Sequence, residues 1–379
     1  MPNNSADNTD LIQSLLQLTL NPARADAAVA YLTKLNPEER EHFESVADSN
    51  HVVVRALQAA VSKLEAGWAG MEKSPPKPKE GLDEAPDSAA ANWAEQVITR
   101  QEERIQNALP ILQRICEELE NGGCPTTVMK SLDHWPDLGN DLDLFTTGDE
   151  KRVSEVMTTR LGAEVDPRSW GDRLANKWNF CVPGMPELVE VHAQRLGQTG
   201  EQTRMARRFV SRRVPKTLNG FTFLVPAPEE RVIVATLQRM YRHFYFRVCD
   251  IVNTAGLLDA NEIDFSELKR AADVGGIWNG VATYLKIVCD YVGKYRGSAP
   301  KLPPEVLQAA QFGGEAVYVG GRFLRVPIMP NGARLYARQV TETAMRGDVP
   351  ATLRLSLLPP LASAAAVAYR LTGSDKGIW

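Results

Sequence analysis

The run Asp141-Leu142-Asp143-Leu144-Phe145 carries two carboxylates at alternate positions of an apolar stretch. A period of two is that of a β-strand, so both side chains leave the same face. Two anions side by side repel unless something cationic lies between them. A Mg²⁺ ion meets that need, because it takes hard oxygen ligands and keeps waters that a phosphate can displace. Upstream, Val128-Met129-Lys130 reads as a short strand and Ser131 opens the turn after it. Downstream, Leu188-Val189-Glu190-Val191-His192 alternates again and sets Glu190 and His192 on one face. Three carboxylates on neighbouring strands can hold two metal ions roughly 3.5–4 Å apart, which activates a hydroxyl and stabilises a pyrophosphate leaving group. The pattern suits phosphoryl or nucleotidyl transfer.

Other residues have two readings each. His192 either polarises an acceptor or is a hydrogen-bonded histidine of the sheet. His134 and Trp135, just before the aspartate pair, either line a nucleotide pocket or form a surface loop with a packed Trp. Arg204, Arg207, Arg208, Arg212 and Arg213 crowd one expected helix, Thr203 to Val214. They are either a solvated face paired with acids or a clamp for phosphate or an anionic acceptor, with Arg207, Arg208 and Arg195 the candidates for that clamp. Tyr241, Phe244, Tyr245, Phe246 and Val248 read as the core face of a helix rather than a stacking platform. Arg247 and Asp250 have the spacing of an intrahelical pair.

Helices are expected over much of 11–71, with Asn36-Pro37-Glu38-Glu39 as a cap and first turn. The stretch 73–90, rich in Pro, Lys, Glu, Asp and Ser, cannot bury a core and reads as a linker. A long helix from 93 to 120 should end at Asn121-Gly122-Gly123. Strands at 126–130, 141–145, 177–182 and 188–193, with a helix at 150–161, make a small mixed sheet backed by helices. After Pro226 the pattern is helical to about Tyr295. A hairpin is expected at 316–325 around Gly320-Gly321, and two short helices in 353–371.

The chain has 379 residues, room for two or three cores. Its formal net charge of −4 argues against a protein that coats nucleic acid, and no stable DNA binding is expected. Five scattered cysteines form no CxxC pair, so neither a disulfide framework nor a Cys-ligated zinc is expected, and a cytoplasmic setting is the default. Pro359-Pro360 interrupts the one apolar C-terminal segment, which argues against a membrane span.

Taken together, Lys130-Ser131, nine residues, Asp141-Leu142-Asp143-Leu144 and then Glu190-Val191-His192 resemble the DNA polymerase β-like nucleotidyltransferase superfamily, in its bacterial nucleotidyltransferase family branch. Arg247-Val248-Cys249-Asp250-Ile251 and Ile263-Asp264-Phe265 are similar to elements of that branch's helical tail. Two positions depart from it: Ser131 stands where the branch has Gly, and Glu190 where it has Asp. The resemblance implies an α+β fold, with a small mixed β-sheet nucleotidyltransferase core between helical N-terminal and C-terminal regions. Its division would be an N-terminal helical region 1–72, a flexible linker 73–92, the core 93–225, a helical domain 226–298, and a hairpin with helices at 299–379. It implies Asp141, Asp143 and Glu190 as catalytic metal ligands for Mg²⁺ or Mn²⁺. Lys130, Ser131, His192, Arg207 and Arg208 would bind nucleotide. The substrate would be an NTP such as ATP, and the acceptor a hydroxyl of a small molecule, protein or RNA. A catalytically inactive nucleotide-binding scaffold and a tRNA-modifying toxin are the alternatives.

Overall fold

Local chemistry sets the helix ends. Asn36 accepts from the Glu39 N–H at 3.0 Å while Glu39 returns the bond to the Asn36 N–H at 2.9 Å, a complete capping box. Asp264 likewise caps its helix through the N–H groups of Ser266 and Glu267. In the structure, a computed structural model describing residues 8–70, 86–361 and 363–364, the elements run as follows. Helices α1 (Thr9–Leu20), α2 (Asp26–Leu32), α3 (Pro37–Ser49), α4 (Val53–Gly70) and α5 (Pro86–Asn121) come first. The sheet region holds β1 (Thr126–Val128), β2 (Asp141–Thr146), α6 (Glu150–Glu155), β3 (Glu164–Val165), α7 (Trp170–Ala175), β4 (Lys177–Cys181) and β5 (Leu188–Ala193). Then come α8 (Thr203–Ala206), α9 (Arg208–Ser211), β6 (Arg213–Leu218) and β7 (Phe221–Pro226). Helix α10 (Pro228–Thr236), β8 (Tyr245–Phe246), α11 (Val248–Asp259), α12 (Phe265–Gly275), α13 (Trp278–Arg296) and α14 (Pro304–Ala309) follow. The last are β9 (Tyr318–Gly320), β10 (Phe323–Arg325), α15 (Ala333–Met345) and α16 (Val349–Ser356).

The fold is α+β. Its main sheet has the order β1-β2-β5-β4-β3, parallel between β2 and β5 and antiparallel elsewhere. Leu142, Leu144, Val189 and Val191 are fully buried in a core shared with the C-terminal half of α5 (Ile105, Leu109, Leu112, Ile115, Leu119). The N-terminal half of α5 (Ala91, Ala94, Val97) joins a second core, where α1–α4 pack with α10–α13. The N-terminal helices are therefore not a separate unit: they share apolar contacts with residues more than 200 positions later in the sequence. Among the described residues no helix is long and apolar enough to cross a membrane.

Three expectations need correction. The helix expected at Thr203–Val214 is two single turns, α8 and α9, followed by a β6–β7 hairpin closed at Asn219-Gly220, where φ is 45° and 83°. An Asn-Gly pair with positive φ at both positions is the usual two-residue hairpin turn. The aromatic segment 241–248 is not one helix. The chain leaves the helical path at Arg242, Phe244 takes φ 53°, and Tyr245-Phe246 pair as β8 with β10. Helix α5 begins at Pro86, inside the expected linker, whose residues 71–85 lie outside the described ones, as do most residues beyond 361. The hairpin expected around Gly320-Gly321 forms as β9–β10.

Candidate active site

The parallel register pairs Asp141 with Leu188, Asp143 with Glu190 and Phe145 with His192. With side chains alternating along each strand, Asp141, Asp143, Glu190 and His192 share one face of the sheet. Ligand atoms of Asp143, Glu190 and His192 all lie within 4.8 Å of one another. Asp141 is outside that tight group, and no hydrogen bond or ion pair engages its carboxylate among the described residues, although it lines the cavity. The neighbouring Asp143 charge, then burial, raises the Asp141 carboxyl above its ordinary range.

Glu190 is buried and doubly engaged, by Lys177 Nζ at 2.9 Å and His192 Nε2 at 2.7 Å. Burial alone would raise its pKa, but the His192 hydrogen bond and the charges of His192 and Lys177 hold it well below the usual range. Lys177 also pairs with Asp172 at 2.9 Å. Lys130 Nζ lies 2.6 Å from Asp143 Oδ1. Its backbone is left-handed (φ 51°, ψ −55°) and the Ser131 N–H reaches back to the Met129 carbonyl at 2.5 Å, the geometry of a γ-turn. Ser131 Oγ accepts from the Asp143 N–H at 3.0 Å and donates to the Asp141 carbonyl at 3.2 Å. Its one proton is committed to strand β2, so this hydroxyl ties that strand to the preceding turn and has no proton left to donate elsewhere.

The acidic face opens on a cavity of about 190 Å³. Its far wall is built from three distant parts of the chain. His51 comes from the α3–α4 junction and His134 from the turn before β2. Arg231, Arg239, Arg242, His243, Tyr245 and Arg247 come from α10 and the segment leading to α11. Arg231 is paired with Asp133 at 2.8 Å and Arg239 with Asp250 at 2.6 Å. Arg242 and Arg247 have no carboxylate partner among the described residues. Sequence spacing made Arg247 and Asp250 an intrahelical pair. Instead only the Arg247 backbone N–H meets Asp250, at 2.7 Å, and the guanidinium extends to His51.

Buried polar contacts hold these parts together. Asp137 caps α4 by accepting from the N–H of Val54 at 2.7 Å and of Arg55 at 3.3 Å. The Arg55 guanidinium donates to the carbonyls of His134 and Trp135 and to Asn253 Oδ1. Asn50 accepts from the Val248 N–H at 2.9 Å and donates to the Arg322 carbonyl at 2.9 Å. The C-terminal hairpin contributes as well: β10 pairs with β8, and Phe323 stacks on Tyr245 with ring centroids 4.2 Å apart.

Of the residues singled out in the sequence, Lys130, Ser131, His134, Asp141, Asp143, Glu190, Tyr245, Arg247 and Asp250 line the cavity. His192 borders it beside Asp143 and lines a smaller cleft with Lys130 and Arg242. Arg207 and Arg208 are not there, which corrects the expected clamp. Arg207 is exposed, and Arg208 pairs with Glu230 at 2.9 Å and with Glu267, both buried. Glutamates sunk into α10 and α12 need counter-charges, and Arg208 and Arg212 supply them. Trp135 faces the sheet core, not the cavity. Sequence reading passed over His51, Arg239, Arg242 and His243. The hint for His51 lies in its position, a polar residue directly between two helical segments. A scan against protein-family models, a search of characterised proteins and a search of solved structures each returned no match.

Proposed function

We propose that the chain is a metal-dependent nucleotidyltransferase that moves an NMP from an NTP to an acceptor hydroxyl. One observation carries this reading: Asp141, Asp143 and Glu190 share a sheet face that opens on a cavity also lined by Arg242 and Arg247, guanidinium groups with no carboxylate partner among the described residues. The residues present suit a divalent cation. Asp141 has no protein partner among the described residues, and the buried Asp143 Oδ1 has only the Lys130 ammonium, at 2.6 Å, which a metal ion could replace. Asp141 and Asp143 would hold Mg²⁺ or Mn²⁺, with Glu190 beside them. The bound ion would supply charge neutralisation at the transferring phosphoryl group and a more acidic acceptor hydroxyl. Lys130 neutralises Asp143 in the free protein and is a point charge for phosphate once that carboxylate has another partner. Lys177 and His192 fix the Glu190 carboxylate. Arg242 and Arg247 balance the polyphosphate charge.

A second reading, a nucleotide-binding protein without turnover, draws on the same site. Lys130 and Lys177 already neutralise Asp143 and Glu190, and the Ser131 proton is committed to the backbone. The two readings separate in one assay. Purified protein is incubated with each NTP labelled at the α-phosphate, Mg²⁺ or Mn²⁺ and a cell extract, and label is sought on protein, RNA and metabolites. The transferase reading expects label that disappears, by more than about a thousandfold, in the Asp141→Ala, Asp143→Ala double variant. Identical labelling by the wild type and the double variant would overturn it.

A further inference from the structure

We propose that His51 and His134 form a neutral donor pair that binds the phosphate chain of a triphosphate, which makes the N-terminal helical region part of the substrate site. This deepens the transferase reading and rests on it only for the choice of a triphosphate.

The tautomers follow from the partners. An arginine side chain can only donate. Arg247 Nη1 contacts His51 Nε2, so that nitrogen is the acceptor and the ring proton sits on Nδ1. Arg55 Nη1 donates to Asn253 Oδ1 at 3.0 Å, which fixes the amide and leaves Asn253 Nδ2 to donate to His134 Nδ1 at 3.1 Å. The His134 proton is then on Nε2. The rings stack with centroids 4.7 Å apart at 25° and present one N–H each. Burial, and then neighbouring positive charges (Arg247 and Arg239 for both rings), push both imidazoles well below their ordinary pKa, so neither becomes a cation beside those guanidinium groups.

His51 is 3 % exposed, and its Nδ1 has no hydrogen-bond partner among the described residues. Its backbone is also left-handed, at φ 52°. An orphaned buried donor on a residue in an unfavourable backbone conformation is costly to the fold, and such costs collect at binding sites. His51 lines the same cavity as the acids, and the two are close: a Cβ built on Gly139 would stand 3.3 Å from the Asp141 carbonyl oxygen, 3.7 Å from His51 Cε1 and 3.8 Å from Asp141 Oδ1. With Arg242 and Arg247 lining the same cavity and without a carboxylate partner among the described residues, a polyanion is favoured there over an uncharged base or sugar.

The test measures binding and needs no turnover. The full chain is titrated calorimetrically with inorganic tripolyphosphate and Mg²⁺, and separately with adenosine, as wild type and as His51→Leu. The expected result is tripolyphosphate affinity weakened by about tenfold or more, with adenosine unchanged. In parallel, ¹⁵N spectra of wild-type protein, which has five histidines, should show His51 protonated at Nδ1 and His134 at Nε2. Both resonances should move when tripolyphosphate is added, a readout independent of whether the variant folds. Unmoved His51 and His134 resonances overturn the proposal, as does a folded His51→Leu protein that binds tripolyphosphate like the wild type. So does a loss confined to adenosine. Tripolyphosphate binding that depends on His51, without NMP transfer, would sink the transferase reading and leave this one standing.

Discussion

The two walls of the cavity are made in opposite ways. The acidic wall comes from two strands whose side chains alternate, so a five-residue window suffices to place Asp141 and Asp143 on one face. The facing wall gathers His51, His134, Arg242 and Arg247 from segments spread over nearly 200 positions, held by Asn50, Arg55 and Asp137. Local periodicity builds the first and long-range docking builds the second. The acids of the first are themselves ion-paired, to Lys130 and Lys177, whereas the second sets two neutral imidazoles among arginines that are partly paired, Arg231 with Asp133 and Arg239 with Asp250, so the two should fail under different insults.

Perturbing Lys177 should produce the largest effect on stability. Lys177→Met leaves the buried Glu190 and the partly buried Asp172 without their shared cation. Removing one partner of a buried pair costs about 3–5 kcal/mol, and denaturant unfolding should report a loss of that size. Acid should strike the other wall. His51 and His134 stay neutral in the folded protein well below their ordinary pKa of 6.5. Above that value neither state takes up the proton. Below it only the unfolded chain does, so stability falls as pH drops. Each imidazole contributes up to about 1.4 kcal/mol per pH unit. His134→Phe should therefore flatten the acid limb of the stability curve by about that slope, and equal slopes would contradict the assignment. Arg207→Ala should do least. Arg207 is exposed and away from the cavity, so unfolding free energy should change by less than about 0.5 kcal/mol and NMP transfer should not change. A loss of transfer in that variant would place the substrate across the arginine-rich surface and redraw the comparison.

Much of the scaffold was legible because its signals are local. The Asn36 capping box, the end of α5 at Asn121, the alternation of β2 and β5 and the turn at Gly321 are each specified within a few residues. Asn219-Gly220 announces the β6–β7 hairpin, but the arginines before it read as a charged helix that runs to Val214, into the first hairpin strand. Their partners, Glu229, Glu230 and Glu267, sit on α10 and α12, and sequence spacing does not show which acid a given arginine will meet. His51 was hidden for the same reason. Nothing near residue 51 indicates Arg247, and the left-handed turn that aims the ring inward becomes apparent only once α3 and α4 dock against α11.

The order of the chain has a consequence for synthesis. During translation the carboxylate strands leave the ribosome before Arg242 and Arg247 have been made, and His51 waits throughout for a guanidinium encoded almost 200 codons later. The pocket therefore cannot be completed before Arg247 has been made, and a polypeptide interrupted before α11 carries the acids without the guanidinium groups that line the same cavity.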